Sequence, residues 1–227
     1  GKHVIAEDWE KAVMTYIAME GMSENEDVHA FRAHVREHGP TQEGLELAPQ
    51  WLGFERRMVE HLLARPDDFV GAFKKLPGNL QLMTVHALQS VVFNKALQAR
   101  IEDGLPISRP VAGDLVDRID EKGQLEASSC VVVEERTLPR IARNCQLGRL
   151  VTTGPLPGSE INTCEGVSGL IEAKIIEQMN LHDADWNVSA IPRLSTRGTR
   201  RALVTEFNEL AIDTVPIAND ETMGERR

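Results

Sequence analysis

From Leu80 to Ile101 the chain carries apolar residues on almost every side of a helix: Leu82, Met83, Val85, Leu88, Val91, Val92, Phe93, Ala96 and Leu97. Pro77-Gly78 breaks the chain just before it. A helix apolar all round cannot lie on a surface, so this segment is expected to be the buried centre around which a domain is built. In the same view His86, inside the segment, reads as a core histidine with its polar needs met locally.

The pattern on the N-terminal side is helical. Trp9, Val13, Tyr16 and Ile17 recur on one face, followed by Val28, Phe31 and Val35 and then by Trp51, Met58 and Leu62. Gly39-Pro40 stops the second of these helices, and Pro66-Asp67-Asp68 looks like the start of a short one. After Gly104-Leu105-Pro106 the pattern changes to short β-branched runs between turn residues. Val111 to Ile119, Cys130 to Val133, Leu150 to Thr153 and Ala202 to Thr205 are strand candidates, and Ser168 to Asn180 reads as a helix capped by Ser168. The fold class is therefore expected to be α+β. The stretch from Asn219 to Arg227 is polar and reads as a frayed or truncated end.

With 35 Asp and Glu against 25 Lys and Arg, a net charge of -10, the chain is not built to bind nucleic acid over its whole surface. Any such contact has to be a patch. One exists at Ser195-Thr196-Arg197-Gly198-Thr199-Arg200-Arg201-Ala202-Leu203, where three arginines surround one glycine and Arg193 lies just upstream. A guanidinium is always charged and offers a fork of donors matched to phosphate oxygens, so the cluster is a candidate phosphate clamp. The competing reading is a solvated turn whose arginines pair with carboxylates. Three tryptophans, one tyrosine and six phenylalanines, none alternating with basic residues, make no stacking platform for single strands.

Other motifs point elsewhere. His34-Val35-Arg36-Glu37-His38 fits the His-x-x-Glu-His pattern of inverted zinc peptidases, but Gly39-Pro40 ends the helix at once, and histidines in a last turn also suit the negative helix end. Gly154-Pro155-Leu156-Pro157-Gly158-Ser159-Glu160 has two prolines and no lysine, so it cannot cradle phosphate as a P-loop does and reads as a turn. Asp114, Asp117, Asp120 and Glu121 read as solvent-facing strand and turn positions. Cys130, Cys145 and Cys164, 15 and 19 positions apart, form no metal knuckle or redox pair and read as buried thiols of a reducing compartment. No apolar run reaches the roughly 20 residues that span a bilayer. Lacking a leader and a first methionine, the chain is expected to be soluble and to begin in mid-protein.

Three blocks together resemble the archaeal-type branch of the TruD family of tRNA pseudouridine synthases. They are His86-Ala87-Leu88-Gln89-Ser90-Val91-Val92-Phe93-Asn94-Lys95-Ala96-Leu97, Gly154 to Glu160, and Ser195 to Leu203 preceded by Ile191-Pro192-Arg193-Leu194. Pro66-Asp67-Asp68-Phe69, Lys74-Lys75-Leu76-Pro77 and Val111-Ala112-Gly113-Asp114 fall in the same order. The family's Gly-x-Lys-Asp segment with the nucleophilic aspartate, its Asn-Tyr/Phe-Phe-Gly-x-Gln-Arg-Phe segment and its closing Leu-Pro-x-Gly-Ser segment do not occur here.

The resemblance implies an internal piece of a longer, cytoplasmic enzyme that isomerises a uridine at position thirteen of tRNA to pseudouridine. An aspartate outside this chain would be the nucleophile, no metal or nucleotide cofactor would be needed, and no catalytic residue can be named here. It further implies a helical segment over residues 1–78, an inserted mixed α/β domain over 79–194, and a return strand into the pseudouridine synthase core over 195–227. Arg197, Arg200 and Arg201 would then hold tRNA phosphates at the mouth of the cleft. The alternatives are a non-catalytic RNA-binding module and, from His34 and His38, a zinc peptidase.

Overall fold

A computed structural model describes residues 1–21, 24–120, 125–126, 130–160, 162–205 and 211–212. Glu121 and the stretch from Asn219 to Arg227 lie outside the described residues. Seven helices come first: α1 (Lys2–Ile5), α2 (Trp9–Ala18), α3 (Glu26–His38), α4 (Gln42–Leu47), α5 (Gly53–Ala64), α6 (Phe69–Phe73) and α7 (Gly78–Glu102). The rest alternates strands and helices: β1 (Leu115–Arg118), β2 (Val131–Val132), α8 (Leu138–Gln146), β3 (Leu150–Leu156), α9 (Gly166–Gln178), a short 3-10 turn (Pro192–Leu194) and β4 (Thr199–Ala202). The architecture is α+β.

Local chemistry sets the helix ends. Asp8 accepts from the Lys11 amide to start α2, Thr41 from Gly44 to start α4, and Asp68 from Gly71 to start α6. Helix α3 stops at His38 because Gly39 turns to φ 75°, a left-handed conformation that favours glycine. One expected cap moves: α9 begins at Gly166, with Glu165 at the N-cap position, and Ser168 lies in its first turn. Its hydroxyl points inward and donates to Asp114 Oδ1 at 2.5 Å.

One apolar cluster runs from Val4 through Phe31, Met58, Phe73 and Val92 to Trp186 and Leu194. Packing is continuous across 78/79, since Leu76 and Val85 share this cluster, and Leu194 belongs to it as well. A second, small cluster joins Val116 and Val133 on the strands to Ile141 on α8. Helix α7 supplies Val85, Leu88, Val92, Phe93 and Ala96 to the interior, yet it is not encircled. Met83 is 57% exposed and Val91 43%, and His86 is exposed with them, so the expectation of a core histidine is corrected.

The four strands form one antiparallel sheet in the order β2-β1-β3-β4. Strand β3 continues past Thr153 to Leu156, and β4 runs over Thr199–Ala202 rather than from Ala202 onward. The shift of β4 has a simple cause: Thr199, Arg200 and Arg201 pair along β3, opposite Leu156, Pro155 and Gly154. Asp114 and Asp117 are buried, against the expectation that they face solvent. Asp114 takes both guanidinium arms of Arg100 at 2.7 Å each, and Arg100 also donates to Ser168 and to the Pro106 carbonyl. Asp117 accepts from the Arg118 amide and from the Cys130 thiol. Asp120 is exposed as expected.

Candidate nucleic-acid interface

Gln89 ties together the three sequence blocks that carry the family resemblance. Sitting in α7 and buried, it donates through Nε2 to the Pro157 carbonyl at 2.8 Å and to Thr196 Oγ1 at 3.3 Å. The loops it touches also hold each other, the Ser159 amide donating to the Thr196 carbonyl and the Glu160 amide to the Arg197 carbonyl. Their backbones touch at two glycines. A Cβ on Gly158 would fall 1.9 Å from the Gly198 nitrogen, and Gly198 has φ 81°. No residue with a side chain fits at Gly158 without moving that backbone, and Gly198 needs the left-handed conformation as well.

Strand alternation then divides the arginine cluster. Successive side chains of a strand point to opposite faces, and in β4 Thr199 and Arg201 are exposed while Arg200 is buried. Arg200 therefore differs from the expectation for a phosphate contact. It donates to Glu172 Oε1 at 2.6 Å, to Thr153 Oγ1 at 2.8 Å, to the Thr153 carbonyl at 2.9 Å and to the Asn162 carbonyl at 2.8 Å. Burial works against its charge, but the hydrogen bond and charge of Glu172 prevail and hold its pKa above the usual arginine value. Beside it Cys164 is buried, and loss of solvent pushes the thiol up to about 12. Of the three arginines of the cluster, Arg200 alone forms a buried ion pair.

The other two face outward. Arg197 is 82% exposed on the loop, with Glu160 at 3.7 Å, a contact of little energetic weight at such exposure. Arg201 lies over the Phe93 ring with its guanidinium carbon 5.0 Å from the ring centroid, a cation–π seat on α7. Two buried ion pairs, Arg100–Asp114 and Arg200–Glu172, stand beneath this edge. Arg100, Thr153, Ser168, Glu172 and Leu203 line a cleft with a volume of about 20 Å³. That is room for about one water, not for a nucleobase.

The zinc motif does not assemble. His34 Nε2 is hydrogen-bonded to Thr41 Oγ1 at 2.7 Å, while Glu37 and His38 are exposed at the helix end. Among the described residues no group of three or more His, Cys, Asp or Glu side chains is placed to hold a metal ion. No described helix is long and apolar enough to cross a membrane. Gln89 and Phe93 were not singled out from sequence for this site. A signal was present all the same, because Gln81, Gln89 and Arg100 are long polar residues set into the long, largely apolar helix α7, and all three are buried and hydrogen-bonded.

Residues 1–221 match the family described as tRNA pseudouridine synthase D (TruD). The chain is 39% identical over 206 residues to "Probable tRNA pseudouridine synthase D" of Methanosarcina acetivorans, covering 91% of this chain and 47% of that protein. The Halobacterium salinarum protein of the same name is 32% identical over 223 residues, covering 96% and 50%. The crystal structure of the TruD protein of Methanosarcina mazei superposes with a TM-score of 0.84 at 36% identity, covering 89% of this chain and 46% of that one. The chain spans about half the length of the curated relatives it matches.

Proposed function

The chain belongs to the tRNA pseudouridine synthase D (TruD) family, and on that premise we propose that the protein it forms part of isomerises a uridine of tRNA to pseudouridine in the cytoplasm. The reaction breaks a glycosidic bond, turns the base and forms a carbon–carbon bond, with a carboxylate as nucleophile. By the family resemblance that carboxylate lies in a Gly-x-Lys-Asp segment, which this sequence lacks. The role of these residues is then to hold the RNA while a base leaves its stack, a step that requires a grip on the flanking backbone.

The observation that carries this reading is the convergence of the three family blocks on Gln89, with Arg197 and Arg201 left facing solvent beside it. Both arginines contact tRNA phosphates in this reading, and Arg200 anchors the strand that presents Arg201. The test is to incubate the protein carrying this chain with tRNA and to quantify pseudouridine in the digested RNA by chromatography and mass spectrometry. Product at a single uridine supports the assignment. Saturable, salt-sensitive tRNA binding without product would instead make the protein a non-catalytic RNA-binding module.

A further inference from the structure

We propose that Arg193, Arg197 and Arg201 form a track along α7 that takes phosphates along one RNA strand, an inference that rests on tRNA being the partner. The three arginines recur every fourth residue and all are exposed. Arg193 and Arg201 are seated directly against α7, and Arg197 is held near it only through its loop. Arg193 donates through Nη2 to Gln81 Oε1 at 2.5 Å, the loop carrying Arg197 is fastened to Gln89 through Thr196, and Arg201 covers Phe93. Gln81, Gln89 and Phe93 belong to a single row of residues four apart, which winds slowly along a helix. At 1.5 Å per residue, the row from Gln81 to Phe93 is about 18 Å long.

The seats of Arg193 and Arg201 lie on side chains buried in α7, which distinguishes them from loose surface charges. Gln81 is only 1% exposed and its amide is fixed by donation to the Leu76 carbonyl at 2.6 Å. Arg193 commits one donor to it and keeps the others for a ligand. Neither Arg193 nor Arg201 has a carboxylate partner among the described residues. In a chain with net charge -10, a row of three exposed guanidiniums, of which only Arg197 has a carboxylate within 4 Å among the described residues, is a local excess of positive charge.

The experiment measures the affinity of the protein carrying this chain for a tRNA transcript over a range of monovalent salt. Arg193→Ala is expected to reduce the slope of log K against log salt by about 0.7–0.9, as loss of one phosphate contact does, and Arg193→Ala with Arg201→Ala by about twice that. Arg193→Lys is expected to keep the slope. Arg57→Ala, which removes an exposed arginine from α5, controls for net charge and is expected to leave the slope unchanged. Should Arg193→Ala fail to fold, Arg193→Gln, which retains a donor for Gln81, makes the same measurement. An unchanged slope in the folded Arg193 variant overturns the track, as does an equal loss in Arg57→Ala. Pseudouridine formation by the unaltered protein is scored in parallel. Product with no slope change overturns the track alone, whereas slope loss without product supports the track and overturns the isomerase assignment.

Discussion

Arg200 Nη2 lies 2.6 Å from Glu172 Oε1 in the interior, and the two side chains are only 3% and 9% exposed. Its neighbour Arg201 is exposed and rests on an aromatic ring. Two adjacent arginines therefore do opposite work, the first joining β4 to α9 and the second facing outward. Both Glu172 oxygens are used, since Oε2 also accepts from the Cys164 amide.

Removing either member of this pair strands a charge in the interior, which costs about 3–5 kcal/mol. Glu172→Ala and Arg200→Ala are expected to lower the free energy of unfolding by that order in denaturant titrations, while Arg201→Ala changes it by less than about 1 kcal/mol. Equal stabilities for Arg200→Ala and Arg201→Ala would contradict the inside–outside division of β4.

The contact between the Gly158 and Gly198 backbones leaves no space for a methyl group. Gly158→Ala and Gly198→Ala are expected to destabilise the protein by more than about 1 kcal/mol, and Gly198→Ala to weaken RNA binding too because its loop carries Arg197. Gly53→Ala, where a Cβ meets nothing within 4 Å, is expected to be neutral or stabilising by up to about 1 kcal/mol. Urea midpoints of the three variants decide the matter.

Asp68 has a folded pKa below its ordinary value because the Gly71 amide donates to it and His61 lies alongside. A depressed carboxylate adds stability that is fully present above its unfolded pKa of about 4 and disappears as pH falls through the lower folded value. Asp68→Asn is expected to bring its stability curve closer to that of the unaltered protein as pH drops below 4. Curves that stay parallel from pH 6 to 2 would rule this out.

Thiol chemistry gives a further check. Cys164, buried and raised to about 12, is expected to resist iodoacetamide at pH 8 in the native protein and to react on unfolding. Cys130 and Cys145 are half-buried, and burial raises both above the usual thiol value, so they should be modified slowly but before Cys164. Peptide mapping that finds Cys164 alkylated first would show that the Arg200 environment is open.

The helical half of the fold was legible because apolar residues repeat with the helical period from Trp9 to Leu62, and an amphipathic face needs no distant partner to be recognised, although Trp51, read on one face with Met58 and Leu62, lies ahead of α5 and is 66% exposed. The sheet was legible in number and rough place but not in extent. Thr199-Arg200-Arg201 looks like a loop until β3 lies beside it. The arginine patch was found from sequence, yet which arginine turns inward was not. That choice depends on strand phase and on Glu172, 28 residues away. Asp114 was misread for the same reason: Arg100, which neutralises it, sits at the end of a helix read as apolar on almost every side. Pairings between distant residues leave no local period.

The alternation of β4 also guards its own alignment. A slip of one residue against β3 would turn Arg200 out to solvent, abandon Glu172 in the interior and drive Arg201 off its ring into the space Arg200 had filled. Such a misfolded edge would present the wrong arginine and lose its buried ion pair in the same event. Any population that displays Arg201 correctly has thereby passed a test set by the core, so the outward charge pattern is proofread from within.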